Sequence, residues 1–363
     1  SFNLPEQADL ASISQQISGN WQLSADLPAP LAVPGVGRLQ GQVSADLGLN
    51  DGELSRYQLN TKLTLQQPQI PATLKQLGVD ADTVYLELSA DGSSQPQLTA
   101  LPLKVDIRSS GASQLTFSTD ALLNLTPPLS ASLKQGTLTW SQQHLTPTAD
   151  ITLQALQLQS QFNAYWLSDS WQLDLRNSQL STAKLDATAY AASNIDITSA
   201  STQLKGDSAF SALTFKTALQ ASAADIKHPA LTAQSWQWQG QLEGTQHSDT
   251  TAKLKLNAEG KLSNQANLGV THQLSYQDSS LTLNWQLDDA FLLAGNPFQQ
   301  SFTDWPALLE FDRGRITASG SITLKNVLAS LAPSIIAASR TPPGSVPKND
   351  VSVKIVNGRL AAT

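Results

Sequence analysis

Asp304–Leu324 reads DWPALLEFDRGRITASGSITL. Asp304-Trp305-Pro306 turns the chain, because proline fixes its own φ and pushes the residue before it towards extended conformations. Ala307, Leu309 and Phe311 then share one parity, and Asp312-Arg313-Gly314 offers a turn whose glycine can take the φ > 0 position. Ile316, Ala318, Gly320, Ile322 and Leu324 follow on one face, with Arg315, Thr317, Ser319, Ser321 and Thr323 on the other. Period-two alternation of this kind predicts a hairpin whose second strand has one apolar and one wet face. Gly320 inside that strand predicts a bulge or a close backbone approach.

The same grammar runs outward through the chain. Leu39, Gly41, Val43, Ala45, Leu47 and Leu49 alternate with polar residues up to Asn50-Asp51-Gly52, a hairpin signal, and Tyr57, Leu59, Thr61, Leu63 and Leu65 answer them. Val84, Leu86, Leu88 and Ala90 run into an expected turn at Asp91-Gly92. At Ala155-Leu156 the parity flips, which predicts a bulge. Trp236 and Trp238 share a face. Leu254, Leu256, Ala258, Gly260 and Leu262 interleave with Lys253, Lys255, Asn257, Glu259 and Lys261, and Leu281, Leu283, Trp285 and Leu287 alternate with Thr282, Asn284 and Gln286. Short helices are expected over residues 6–17, over 70–77 and after Asn326. Pro28, Pro30 and Pro34 predict an irregular stretch. Long helices never alternate with strands, so βαβ units are excluded and the sheet is antiparallel.

An apolar face of this extent needs a cover. A two-sheet sandwich, a lipid-facing barrel and an open trough all satisfy the pattern. Runs of 9–11 residues are long for a sandwich. The 8 Trp and 5 Tyr are too scattered for the aromatic girdles of a barrel. The expected fold is therefore all-β: a long curled antiparallel sheet forming an open apolar groove, a β-taco, with a few short helices. Residues 1–340 are expected to form the repeating groove. Residues 341–363 form a linker with Pro342, Pro343 and Pro347 and a terminal strand. The predicted lining is Leu254, Leu256, Leu262, Leu281, Leu283, Trp285, Leu287, Trp236, Trp238, Ile316 and Ile322. Val351, Val353 and Ile355 are expected at an edge where a partner strand can add.

Composition narrows the function. A net charge of -7 argues against a nucleic-acid partner. Cysteine is absent, so no disulfide frame or thiolate metal site is expected. His144, His228, His247 and His272 show no zinc-ligand spacing. No nucleophile elbow or phosphate-cradling glycine loop occurs, so no catalytic residue, metal or cofactor is predicted, and an enzyme is not expected. Asp288-Asp289 reads as a solvated strand end rather than an acid pair. Trp236 and Trp238 read as groove lining rather than a carbohydrate platform, and Lys253, Lys255 and Lys261 as a wet outer row. The chain starts at Ser1 without an initiator Met, signal peptide or apolar run long enough to span a bilayer, as expected of a mature form or a fragment.

The Trp305-Pro306 turn, the run Gly314-Arg315-Ile316-Thr317-Ala318-Ser319-Gly320 and Ile322-Thr323-Leu324 resemble the C-terminal region of the YdbH family. That family belongs to the AsmA-like group, relatives of TamB, in the Gram-negative envelope. The likeness covers about residues 304–324. It implies a periplasmic bridge carrying phospholipids between inner and outer membranes through a repeating β-groove. It also implies an N-terminal inner-membrane anchor outside this chain, and a small outer-membrane lipoprotein of the YnbE kind engaging the C-terminal end. The alternative is a structural or assembly factor, TamB-like, that serves outer-membrane proteins without lipid cargo.

Overall fold

The computed structural model describes residues 18–50, 53–70, 75, 79–93, 100–124, 127–148, 151–187, 190–209, 211–228, 231–248, 252–266, 268–287, 290–291, 300–301, 315–325 and 351–361. The protein is all-β, and its strands are antiparallel and one-faced. Helix among the described residues is confined to Lys75, Gln300 and Ser301.

The contacts divide the chain into two units. The first, residues 1–143 and 158–168, holds β1 (Gly19–Val33), β2 (Gly37–Asn50), β3 (Glu53–Gln66), β4 (Thr83–Ser93), β5 (Ala100–Ser110) and β6 (Ser113–Asn124). It also holds the first part of β7 (Ser130–Thr148) and the second part of β8 (Ile151–Trp166). Each strand from β1 to β7 pairs with the next as an antiparallel meander. The second unit, residues 144–157 and 169–363, takes the remainder of β7 and β8 and adds β9 (Ser170–Ala187), β10 (Ala191–Asp207), β11 (Ala212–His228) and β12 (Leu231–Ser248). There follow β13 (Ala252–Asn264), β14 (Gly269–Gln277), β15 (Ser280–Leu287), β16 (Ala290–Phe291), β17 (Arg315–Leu324) and β18 (Val351–Ala361). Here β9 to β15 pair in sequence, β15 and the short β16 share one edge of β17, and β18 takes the other. Among the described residues, every extensive strand–strand contact is with a hydrogen-bonded neighbour, so each unit is an open, curled sheet rather than a sandwich.

Three local expectations meet the structure differently. Pro28 and Pro30 do not stop β1: that strand runs through them, with its register slipping between Leu27 and Leu31. Proline is tolerated at a sheet edge, where the missing N–H costs no ladder bond. Asp91-Gly92 is not a turn either. Gly92 lies within β4 opposite Tyr57, whose ring occupies the space a Cβ would need. For β17, the strand Arg315–Leu324 is present, and Gly320 combines both expected roles: a register shift separates it from Ser319, and the Trp285 ring lies 2.7 Å from its would-be Cβ. The first arm of the expected hairpin, the helices over 6–17 and after Asn326, the 341–350 linker and Asp288-Asp289 lie outside the described residues; of the 70–77 helix, Ile70 and Lys75 alone are described.

Many strands are longer than their sequence runs suggest. β9 has 18 residues and β10 has 17, about 55–60 Å at ~3.3 Å per residue. The cause is a left-handed residue inside each of several strands. Gln135 in β7, Ala155 in β8, Asn177 in β9, Asn194 in β10 and Asp225 in β11 have φ between 48° and 52°. Each flips the side-chain parity. In β9, Trp171, Leu173 and Leu175 precede Asn177, while Leu180 and Thr182 follow on the same face with opposite parity, as their partners Gly206, Leu204, Thr202, Ile197 and Ile195 show. The flip read from Ala155-Leu156 falls on the left-handed Ala155. At Gln135 and Asp225 the register with the preceding strand also slips, as in a bulge, whereas the β9–β10 register runs past Asn177 and Asn194 without a slip. Asn and Asp tolerate the left-handed conformation better than most residues, which accounts for three of the five.

A bulge frees a carbonyl, and burial makes an unpaired one costly. A hydroxyl on the adjacent strand repairs it in several cases, always at the residue just before the left-handed one. Thr119 Oγ1 donates to Lys134 O at 3.1 Å, Thr182 Oγ1 to Gln154 O at 2.7 Å and Ser193 Oγ to Ala224 O at 3.3 Å. Thr119 and Thr182 are buried on the otherwise apolar face.

Candidate functional site

The apolar face of β11–β17, within the second unit, brings the predicted lining residues together. Directly opposed residues of antiparallel strands share a face, so the registers assemble cross-strand rows. One row runs Gly244, Leu256, Tyr276, Leu281, Leu324; the next runs Leu242, Ala258, Leu274, Leu283, Ile322. A third runs Gly240, Gly260, His272, Trp285, Gly320, and a fourth Trp238, Leu262, Val270, Leu287. Trp236 stands opposite Asn264 and Leu254 opposite Gln246 on this same face. Ile316 pairs with Ala290 and Leu360 by backbone register. Val351, Val353 and Ile355 pair with Leu324, Ile322 and Gly320, extending the rows to β18. No register occupies the other edge of β18 among the described residues.

Burial follows parity. In β13, Lys255, Asn257, Glu259 and Lys261 are exposed, whereas Leu254 is buried and Leu256, Ala258 and Leu262 are half-buried. Beside Trp236, Ser301 packs against the apolar side, buried and accepting from Asn264 Nδ2. Among the described residues no second layer of strands seals that side. That is the state expected of a surface that can accept an apolar ligand without first expelling a packed core.

Aromatic rings pave this face by lying on glycines of the neighbouring strand. Trp171 opposes Gly206, Phe215 opposes Gly244 and Trp285 opposes Gly320. In each pair the ring sits where a Cβ would be, at 2.6 Å for Trp171 and 2.7 Å for Trp285. Trp238 covers Gly240 and Gly260 together, at 2.6 and 2.9 Å. In the first unit Tyr57 covers Gly92 and Phe162 covers Gly136 in the same way, and Phe162 also stacks on Phe117 with centroids 5.1 Å apart. A flat ring over a glycine supplies apolar area without a protruding side chain, so the face stays smooth.

Besides Asn264 and Gln246, polar atoms interrupt it at the Trp238–His272 pair. Trp238 Nε1–H donates to His272 Nε2, and the two rings stack with centroids 5.9 Å apart. Accepting at Nε2 places the imidazole proton on Nδ1, which is buried without a hydrogen-bond partner. Burial lowers the pKa of His272 below its ordinary value, favouring the neutral ring that this bond requires. The other histidines lie apart, on β7, β11 and β12, and His228 stacks on Tyr190.

The sequence reading omitted β14 altogether. Val270, Leu274 and Tyr276 alternate as clearly as β15 does, but His272 interrupts the apolar run. The wet face, read from the sequence as a solvated row of Lys253, Lys255 and Lys261, carries a hollow that alternation does not reveal. A cleft of about 970 Å³ is bounded by Gln239, Gln241, Glu259, Lys261, Gln273 and Asn284 among others. The apolar-face neighbours Trp238, Leu242, Ala258 and Leu262 do not line it.

No protein-family model matches the chain, and neither a characterised protein nor a solved structure matches it.

Proposed function

We propose that this chain carries phospholipids, holding acyl chains against the apolar face of β11–β17 while headgroups stay in water. The observation that carries the reading is a face of Leu, Trp, Ile and Val rows continuous across these strands and, among the described residues, not covered by a second layer of strands. Each methylene moved from water to such a face gains ~0.8 kcal/mol, so a sixteen-carbon chain left in water costs roughly 12 kcal/mol. A row of similar weak sites removes that cost at every step without a deep trap, and needs no singular binding residue. The glycine-seated rings support sliding by keeping the path smooth. With the resemblance to the YdbH family, this becomes transport between the inner and outer membranes of a Gram-negative envelope, in the periplasm, with an inner-membrane anchor in the full-length protein. The edge of β18 to which no described strand pairs supports strand addition by a small outer-membrane lipoprotein at Val351, Val353 and Ile355. That edge is also what a TamB-like assembly factor without lipid cargo would use.

Site-specific photo-crosslinking in cells separates these. A crosslinker at Leu256 or Leu283 is expected to capture phospholipid, and the same group at Lys255 or Asn284 is not. Mass spectrometry of the adducts identifies the lipid. Equal capture from both faces, or none from the apolar one, would sink the conduit.

A further inference from the structure

The cleft on the wet face of the second unit is built differently from the rest of that face. Its floor is the backbone of Gly240, Gly260, His272, Trp285 and Gly320, joined strand to strand by register. One wall is Gln239, Lys261, Thr271, Gln286 and Ser319; the other is Gln241, Glu259, Gln273, Asn284 and Ser321. The groove thus runs across the strands. Smaller hollows of about 330 and 290 Å³ flank it and carry more charge, Lys216, Glu243 and Glu259 in one and Asp196 and Lys261 in the other.

Elsewhere on polar faces, some amides are spent on intramolecular bonds. Gln172 and Gln203 both donate to Asp174, Gln179 donates to Asp196, and Gln66 reaches Gln40. In the cleft, the side-chain amides of Gln239, Gln241, Gln273, Asn284 and Gln286 make no hydrogen bond among the described residues. Five aligned amides, each able to donate and accept, face a groove whose walls carry one Glu and one Lys and so no net charge.

We propose that this cleft binds a neutral, β-linked oligosaccharide lying across the strands. A hydroxyl both donates and accepts, which matches primary amides and the wall hydroxyls without a charge on either side. The walls repeat at the strand spacing of about 4.8 Å, close to the advance of one pyranose ring in a β-linked chain. Anionic polymers find no excess of cations here. A peptide finds no strand edge, since the groove presents side chains and not the unpaired N–H and C=O groups that β-addition needs. The site is independent of the lipid reading, which uses the opposite face.

Calorimetric titration of the intact chain with a soluble β-1,4-linked N-acetylglucosamine oligomer tests this, with an α-linked glucan oligomer and a glutamine-rich peptide as competitors. Saturable binding of the β-linked oligomer is expected. The Gln241→Thr/Gln273→Thr double variant is expected to weaken it by roughly ten-fold, the loss of about two hydrogen bonds. Gln58→Thr, on the wet face of β3, should leave affinity unchanged. Absence of saturable binding, equal affinity for either competitor, or undiminished affinity in the double variant would overturn the proposal. Circular dichroism of the variants checks that the sheet is intact, and substitution of exposed glutamines by a strand-forming residue is not expected to disturb it.

Discussion

Two stretches of the second unit, β9–β11 and β12–β15, present the same apolar face by different means. From β12 to β15 the registers run without a shift, and strict alternation holds from end to end. From β9 to β11 each strand carries a left-handed residue, Asn177, Asn194 or Asp225, and the β10–β11 register slips repeatedly. Continuous alternation keeps one face apolar only while the strands stay in step. A long strand in a twisted, curling sheet falls out of step, and a bulge restores it by exchanging parity. The two stretches therefore differ in how the face is maintained, not in what it is made of.

That shared composition is open to a severe test. Gly206 in the bulged stretch and Gly260 in the regular one both lie beneath a tryptophan ring, at 2.6 Å from Trp171 and 2.9 Å from Trp238. Valine at either position forces the ring aside or the strands apart. Each substitution is expected to cost about 3 kcal/mol, at the upper end for overpacking, because the obstacle for Gly260 also includes the backbone oxygen of Gln239 at 2.7 Å. Urea unfolding measures this. A cost below about 1 kcal/mol at both sites would mean that the rings swing freely and the paving is not a fixed feature.

The stretches should part company when a hydroxyl is removed. Thr182 in β9 is buried and repairs the carbonyl freed before Ala155, so Thr182→Val is expected to cost about 1–2 kcal/mol. Thr271 in β14 also donates to a carbonyl, that of Gln286 at 3.2 Å, but on the exposed face of an unbroken ladder. Water can replace that bond, and Thr271→Val is expected to stay within about 0.5 kcal/mol. Equal costs would remove the special role assigned to the buried hydroxyl.

The contrast also explains how much could be read from the sequence. β13 was fully legible, because Leu254 to Leu262 alternates without interruption and the face it presents is the one observed. The parity flip at Ala155-Leu156 was legible for the converse reason: two clean runs of opposite parity meet there. The lengths of β9 and β10 were not, since a parity flip at Asn177 or Asn194 looks like a strand end when only one side of it is strongly apolar. Gly92 was read as a turn because its use as the seat of Tyr57 depends on a register between strands, which no local pattern encodes. Pro28 and Pro30 were read as breakers because their tolerance depends on β1 lying at an edge. The cleft was hidden for the same reason as the glycine seats: its lining comes from seven strands, two or three residues from each. Alternation identifies a face, whereas a groove across strands needs every register at once.

The smallest expected effect is also the one that most directly separates the two stretches, because it reverses in sign. Asn194 in β10 has φ 48°, a conformation that a β-branched residue adopts only under strain. Asn257 in β13 is an exposed strand residue paired with Ser275 and Glu243, with ordinary extended geometry. At 194, glycine is therefore expected to be better tolerated than valine, by about 1 kcal/mol, since glycine alone pays no penalty for a left-handed backbone. At 257 the order turns over: valine fits a pleated surface and glycine carries an entropic cost, so valine is expected to lead by about 1 kcal/mol. Four variants compared by chemical unfolding suffice. Comparing the difference between Gly and Val at each site cancels most of what the lost asparagine side chain contributed. If valine also leads at 194, the strand passes that point in extended form, the parity exchange in β10 has another origin, and the distinction between a bulged and a regular route to the same apolar face fails there.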